Sequence, residues 1–206
     1  MAALPELTIR PATLDDIELL EALIAESVRV LQAADYTACQ REAALGTVFG
    51  VDRQLILDRT YFVAEIGGVI VACGGWSRRR TLFGSHHQAG REDALLDPVT
   101  DAAKIRAFFV RPGCERRGIG SAIMRASEDA AVAEGFTRLE LGSTFTGIPL
   151  YRAHGFVEVE TVEAPLAAGG GLTVVRMVKE LSRNSQVPYE GEWGRARGLR
   201  HLTEWV

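Results

Sequence analysis

Residues 116–121 form the part of this sequence best suited to bind an anion. They read Arg-Arg-Gly-Ile-Gly-Ser, after an apolar run at 105–110 and before apolar residues spaced by three and four. This pattern predicts a strand, a loop and a helix whose first turn contains the glycines. The first turn of a helix presents unpaired backbone N–H groups and the positive end of the helix dipole, and glycine lets an anion approach them. The sequence therefore predicts a diphosphate-binding loop.

Two common phosphate-binding motifs do not fit this loop. Gly113 and Gly118 have the outer spacing of a P-loop, but Ile119 and Gly120 stand where that motif has lysine and a serine or threonine. The groups that contact the phosphates and Mg²⁺ are therefore missing. A dinucleotide-binding fingerprint starting at Gly118 would need glycine where Ile123 stands.

The loop resembles motif A of the GCN5-related N-acetyltransferases (GNAT family), which holds the pyrophosphate of acetyl-CoA. A second segment, residues 149–156, reads Pro-Leu-Tyr-Arg-Ala-His-Gly-Phe. It is similar to motif B of that family, in which Leu-Tyr is followed after three residues by Gly-Phe. Two motifs in the family's order are much more specific than one glycine-rich loop. The resemblance covers roughly residues 7–181, most densely at 104–156.

The resemblance implies roles for ten residues. Backbone N–H groups of the loop would bind the pyrophosphate of acetyl-CoA, the cosubstrate: Arg116, Arg117, Gly118, Ile119, Gly120 and Ser121. The end of the preceding strand would pair with pantetheine and contact the oxyanion through its backbone: Phe108, Phe109 and Val110. Tyr151 matches the tyrosine that protonates the leaving thiolate. A phenol is protonated at neutral pH and can therefore serve as a proton reservoir for a sulfur leaving group with a pKa of about 8.5. The alternative for Tyr151 is a packed core tyrosine.

The sequence departs from the family pattern at two positions. Glu115 stands where glutamine or arginine is frequent, and we expect Arg116 and Arg117 to compensate. Thr144 stands where asparagine is frequent, so cofactor contacts from its loop are not implied.

The sequence does not identify a general base. Lys104 and Arg106 flank Ile105 on the strand where some members carry a glutamate. Five other candidates remain, each with a solvated surface group as the alternative: Glu65, Asp97, Glu140, His86 and His87. A chain of water molecules could also act as the base. The adjacent histidines point apart in an extended chain, so we expect no metal.

The elements that must position these residues alternate between strands and helices. A strand at 7–10 precedes a helical pattern at 14–31, which Thr13 and Asp16 introduce as an approximate capping box. Two apolar segments meet at Gly67-Gly68, which predicts a hairpin of covered strands. Shorter elements follow the same reasoning: helices near 36–45, 51–59 and after Pro149, and strands at 137–142, 156–160 and 172–178. The resemblance implies an α/β (α+β) fold whose mixed, mostly antiparallel sheet is flanked by helices and splayed between strands four and five.

Two segments depart from this pattern. Residues 77–103 are polar and aperiodic, and compact domains seldom carry loops longer than about 15 residues unless these are functional or disordered. This segment could be a substrate lid or a mobile surface loop, and the sequence does not decide between them. Residues 182–206 are interrupted by glycines, yet contain apolar anchors such as Trp193 and Trp205. We expect a transferase domain at 1–181 and a C-terminal extension at 182–206 that packs on this domain or on a partner subunit.

Composition and charge exclude several classes. A formal net charge of −4 argues against a nucleic-acid-binding protein, and no apolar run approaches the roughly 20 residues of a membrane span. The first residues lack the features of a secretion signal. Three widely spaced cysteines indicate a reduced compartment. The predicted location is the cytoplasm, with no nucleic-acid or membrane partner and with a homodimer left open.

The sequence thus predicts an acetyl-CoA-dependent N-acetyltransferase. It would acetylate a primary amine, on a small molecule or a peptide, by direct attack in a ternary complex. The main alternative is a non-catalytic acyl-CoA-binding or regulatory module, which would keep the loop but lack a competent acid and base. A phosphate-ester or nucleotide enzyme is disfavoured because the lysine, hydroxyl and acidic Mg²⁺ ligands are missing.

Overall fold

The computed structural model describes residues 6–82, 94–166 and 169–181. Within them, seven strands and five helices follow the predicted alternation. The strands are β1 (Leu7–Pro11), β2 (Tyr61–Ile66), β3 (Val69–Ser77), β4 (Ala103–Val110), β5 (Arg138–Ser143), β6 (Val157–Pro165) and β7 (Gly171–Glu180). The helices are α1 (Ile17–Leu31), α2 (Ala38–Ala44), α3 (Arg53–Leu57), α4 (Ile119–Ala133) and α5 (Ile148–Ala153).

The strands form one sheet in the order β1-β2-β3-β4-β5-β7-β6. Every neighbouring pair is antiparallel except β4 and β5, which are parallel and pair only at Ala103–Leu139 and Lys104–Glu140. Beyond Lys104 the two strands separate. This confirms the mixed, mostly antiparallel sheet splayed between strands four and five, and the separation opens a gap in the middle of the sheet.

Helices α1 and α4 cover opposite faces of the sheet. Neighbouring side chains of a strand point to opposite faces, and in β3 the pair Ala72 and Cys73 shows which helix lies on each. Cys73 belongs to the core cluster that contains the buried side of α1, including Ile24 and Val28. Ala72 packs with Ile119 and Ile123 of α4. The gap beyond Lys104 therefore connects an α1 face with an α4 face.

Local sequence signals explain where several helices begin and end. The Thr13–Asp16 capping box is present and opens a 3₁₀ turn that leads into α1. A second capping box, between Thr37 and Gln40, begins α2. At the end of α4, Gly135 has a φ of 92°, and the N–H of Phe136 donates to the carbonyl of Ala131. This is the glycine-dependent helix termination expected from the sequence.

Several predicted boundaries were wrong in length. Helices α2 and α3 are shorter than predicted, whereas β6 and β7 are longer. In β7 the ladder with β6 continues past the apolar run to Gly171, because backbone pairing does not require apolar side chains. Strand β6 is an edge strand, largely exposed on both faces, so its side chains do not show the alternation that would reveal its length.

The unusual segment 77–103 lies partly outside the described residues, and the extension 182–206 lies wholly outside them. The described N-terminal end of the first is held by two ion pairs: Arg78 pairs with Glu134 at 3.1 Å and Arg79 with Asp58 at 2.7 Å. An isolated bridge joins Arg79 to Leu95. Neither arginine lines the cleft described below. The choice between a lid and a surface loop stays a prediction.

Two further findings concern the described part of the chain. None of its helices is both long enough and apolar enough to cross a membrane. The three cysteines are free thiols, with Cys39 exposed, Cys73 buried and Cys114 between these extremes.

Candidate functional site

A cleft of about 440 Å³ lies where β4 and β5 have separated, between the end of β4 and the segment that follows β5. Its walls come from the end of β4, the loop before α4, the segment from Thr144 to α5, and the last turn of α1. Because α1 and α4 lie on opposite faces, the cleft is reached by elements from both sides of the sheet. The α4 side of the cleft and the α1 side can therefore be considered separately.

The α4 side is formed by the glycine-rich loop. Gly118 is the N-cap of α4 with a φ of 80°, a left-handed conformation that glycine adopts without strain. A Cβ added there would meet no other atom within 4 Å, so the space in front of the helix is open. Five predicted loop residues line the cleft: Arg116, Gly118, Ile119, Gly120 and Ser121. The sixth, Arg117, is exposed and is not among the lining residues.

Strand β4 reaches the cleft with Phe108, Phe109 and Val110, the three predicted residues. A β-bulge, which the sequence did not reveal, lies at the start of this stretch. Ala107 has a φ of 55°, and two residues of β4, Ala107 and Phe108, stand opposite Gly74 alone. The buried Tyr61 hydroxyl donates to the carbonyl of Ala107 at 2.9 Å, which holds the bulge in place.

Gly74, a glycine inside an apolar strand, is the sequence feature that could have predicted this bulge. A Cβ at Gly74 would stand 2.7 Å from the ring of Phe108, so any larger residue would collide with it. Glycine inside an apolar strand often marks a bulge or a close approach. The bulge interrupts the ladder between β3 and β4 next to the β4 residues that line the cleft.

Tyr151 lies on α5 and lines the cleft on its α4 side, where it belongs to the same core cluster as Met124 of α4. Its ring makes edge contacts with Phe108 and Phe156, at centroid distances of 6.2 and 5.9 Å. Burial raises the pKa of the Tyr151 phenol well above its ordinary value of 10.0. The hydroxyl is therefore protonated at neutral pH.

The segment between β5 and α5 completes this wall. Thr144 lines the cleft even though it replaces the family's frequent asparagine, and Glu115 lines it as well. Gly147 is required by packing, because a Cβ there would lie 2.9 Å from both Ser143 Oγ and a ring carbon of Tyr151.

Three residues at the end of α1 form the opposite wall: Ser27, Leu31 and Gln32. The sequence predicted this helix but singled out none of the three residues. They carry no motif, and a serine or glutamine on a helix is ordinarily a surface residue. Cys73 also lines the cleft, and burial raises the pKa of its thiol to about 12, so it is not a thiolate nucleophile at neutral pH.

The described candidates for a general base do not line the cleft. Glu65 pairs with Arg10 at 2.8 Å and Glu140 with Lys104 at 2.5 Å, while the carboxylate of Asp97 accepts the backbone N–H of Val99. His86 and His87 lie outside the described residues. Within the described ranges, no group of three or more His, Cys, Asp or Glu side chains is arranged to hold a metal ion.

Comparison with known proteins agrees with this geometry. Residues 25–156, more than half of the chain, match the family model of the acetyltransferase (GNAT) family. No curated protein matches the sequence.

Solved structures with the same fold include three acetyltransferases. A GCN5-related N-acetyltransferase of Rhodopseudomonas palustris has a TM-score of 0.64 at 21% identity, over 88% of this chain and 99% of that one. PaiA N-acetyltransferase of Thermoplasma acidophilum, in complex with coenzyme A, has 0.60 at 14%, over 85% and 99%. The putative acetyltransferase yncA of Salmonella typhimurium, with acetyl-CoA, has 0.59 at 17%, over 87% and 96%. At these identities the likeness shows the fold.

Proposed function

The chain belongs to the acetyltransferase (GNAT) family and is an acetyltransferase, and we propose that it transfers the acetyl group of acetyl-CoA directly to a primary amine. The observation that carries this proposal is the single cleft in which the glycine-rich loop, the end of β4 and Tyr151 meet. A coenzyme A thioester requires a site that binds its diphosphate and a proton donor for its leaving group. The glycine-rich loop suits the first requirement, and the buried neutral phenol of Tyr151 suits the second.

Acetyl-CoA would bind on the α4 side, with its pyrophosphate at the first turn of α4. The backbone N–H groups there and the dipole of this 15-residue helix favour an anion, and Arg116 adds a positive charge. Pantetheine would follow the backbone of Phe108, Phe109 and Val110, whose strand has no partner in β5 beyond Lys104. The thioester would then lie in the gap near Tyr151.

The reaction forms one bond and breaks one. The lone pair of a neutral amine attacks the thioester carbonyl carbon, and the C–S bond breaks with its electrons going to sulfur. Tyr151 protonates the departing thiolate through its phenol, the amine nitrogen loses its extra proton to water, and the phenolate regains a proton from water, which restores the enzyme. Water is proposed because, of the described residues lining the cleft, only Glu115 carries a carboxylate, and it belongs to the loop on the cofactor side.

We also propose that residues 1–181 form the transferase domain. The family match ends at residue 156, but β7 pairs with β5 along the whole of β5, from Arg138 to Ser143. Without β7, strand β5 would lose the antiparallel partner that supports its side of the gap.

Calorimetric titration with acetyl-CoA tests the proposal, with ATP and NAD as competing ligand classes. We expect micromolar binding of acetyl-CoA alone. We expect Gly120→Trp to abolish this binding, because the new side chain would fill the loop next to Leu150, whose Cδ2 lies 3.2 Å from the position of an added Cβ. Absence of acetyl-CoA binding by the intact protein would overturn the assignment of the loop and the proposed function with it.

A further inference from the structure

The cleft is lined by one carboxylate and one guanidinium. Among the described residues that line it, only Glu115 and Arg116 carry a charge, and they are neighbours in the glycine-rich loop. Arg117, the other arginine expected to compensate for Glu115, is exposed and does not line the cleft. The two lining charges therefore cancel, although the diphosphate of the proposed ligand is an anion.

Glu115 is not neutralised by a basic side chain. It is exposed, and its carboxylate forms no ion pair with another described residue, the adjacent Arg116 included. Farther along α4 the situation differs, because the carboxylate of Glu128 lies 2.7 Å from the ammonium group of Lys179. The carboxylate of Glu115 is therefore available to repel an anion that binds in the loop.

The conformation of the loop places Glu115 close to the first turn of α4. Three residues of the segment 113–118 have left-handed φ values: 84° at Gly113, 61° at Arg116 and 80° at Gly118. Arg116 adopts this conformation despite the cost that a Cβ adds. Left-handed residues curl a loop so that its N–H groups converge on one anion. Glu115 lies within this curl, three residues before the N-cap of α4, so its Cα is within about 11 Å of the Cα of Gly118.

We propose that Glu115 opposes binding of the coenzyme A diphosphate and thereby speeds release of the product coenzyme A. This inference rests on the proposed function. Acetyl-CoA and coenzyme A carry the same diphosphate, so the repulsion weakens both complexes by the same factor. The diphosphate does not change during attack on the thioester, so the lost affinity does not slow the chemical step. A shorter lifetime of the product complex is the consequence.

The test compares the wild-type protein with Glu115→Gln, Glu115→Ala and Glu134→Gln. Glutamine keeps the shape of the side chain and removes its charge, whereas alanine removes the charge without supplying an N–H donor. Glu134 is a matched control, since it is an exposed glutamate at the C-cap of α4 that does not line the cleft. It lies about 22 Å along the helix from the first turn, and its substitution changes the net charge by the same amount. Calorimetry measures the affinities for acetyl-CoA and for coenzyme A at about 0.05 M and about 0.5 M NaCl, and stopped-flow mixing measures coenzyme A dissociation.

We expect both Glu115 variants to bind acetyl-CoA and coenzyme A about three- to tenfold more tightly than the wild type at the lower salt concentration. The factor should be the same for the two ligands, and coenzyme A dissociation should slow by a similar factor. The gain should shrink at the higher salt concentration, because salt screens a repulsion between exposed charges. Glu134→Gln should bind both ligands as the wild type does.

Other outcomes overturn the inference. Unchanged or weaker binding in the Glu115 variants shows that this carboxylate does not repel the diphosphate. A gain that is confined to Glu115→Gln, or is equal at both salt concentrations, reflects a new hydrogen bond instead of a removed charge. An equal gain in Glu134→Gln reflects net charge alone, and a gain for acetyl-CoA without one for coenzyme A places the effect at the thioester. Failure of the wild type to bind acetyl-CoA is a separate result that removes the proposed function itself.

Discussion

The two sides of the cleft differ in the kind of group that could bind a ligand. On the α4 side the candidate ligand-binding groups are mainly backbone groups, at the first turn of α4 and along the end of β4. On the α1 side they are side chains, with Leu31 and Thr146 in the wall. A backbone site depends on chain geometry and on glycine, whereas a side-chain site depends on the identity of each residue.

This difference explains what each side tolerates. Glu115 and Thr144 both depart from the family pattern and both still line the cleft, because the geometry of the α4 side is set by Gly118 and by the start of α4 rather than by these side chains. On the α1 side the candidate groups are side chains, so a substitution there changes the ligand-binding group itself.

A substitution of Tyr151 has the largest expected effect on catalysis, because Tyr151 supplies the one side chain that the proposed chemistry needs on the α4 side. We expect Tyr151→Phe to lower kcat by about 100- to 1,000-fold, since general acid catalysis commonly contributes factors of this size. Acetyl-CoA affinity should change little, because the ring contacts with Phe108 and Phe156 remain. Steady-state kinetics and calorimetry on the same preparation measure both quantities.

The same variant separates the enzyme from a non-catalytic acyl-CoA-binding module. A binding module has no turnover to lose, so wild type and Tyr151→Phe would both bind acetyl-CoA and release coenzyme A at the same background rate. A kcat unchanged from an active wild type would instead show that the thiolate takes its proton from another source.

A pair of glycines tests whether the α4 side depends on backbone geometry. Gly118 and Gly113 both have positive φ, 80° and 84°, with no atom within 4 Å of an added Cβ, but only Gly118 lines the cleft. We expect Gly118→Ala and Gly113→Ala each to lower the free energy of unfolding by about 1 kcal/mol, the cost of a left-handed alanine. Only Gly118→Ala should weaken acetyl-CoA binding, by about tenfold or more (~1.4 kcal/mol). Equal affinities in the two variants would show that the loop does not contact the cofactor closely.

The smallest expected effect is that of Asp16→Asn on the free energy of unfolding. Asp16 lies just before α1 and anchors that side of the cleft. Its carboxylate accepts hydrogen bonds from Arg10 and from the backbone N–H of Thr13 just before α1, and these contacts lower its pKa from 3.8 to about 2. A carboxyl group with a lowered pKa stabilises the fold above its ordinary pKa, and this contribution is lost as the pH falls from about 4 to about 2. Asp16→Asn should therefore cost about 1 kcal/mol at pH 7, a value reduced because Arg10 is partly exposed.

Urea unfolding at pH 7, 4 and 3 measures this effect. The difference between wild type and Asp16→Asn should shrink as the pH falls, and acetyl-CoA affinity at pH 7 should be unchanged because the loop lies on the other face. A constant difference across this range would mean that the carboxylate charge does not contribute.

Much of the fold could be read from local patterns. The Gly67-Gly68 hairpin, the capping box at Thr13 and the glycine-terminated α4 depend on residues that are close in sequence, so their signals survive without tertiary context. The loop of residues 116–121 belongs to this class, since its geometry comes from a strand, two glycines and a helix in succession. The ends of β6 and β7 could not be read in the same way, because pairing between strands sets them.

The sequence alone determined the family and the order of the elements, and it predicted the anion-binding loop at residues 116–121, because each is encoded in short segments with their own geometry. Only the tertiary structure decided the gap beyond Lys104, the bulge at Ala107 and the position of Gln32 opposite the loop. These features depend on contacts between segments far apart in the chain. Gln32 lies more than 80 residues before the loop it faces, and no local pattern connects them. The α1 side of the cleft is therefore a property of the folded chain.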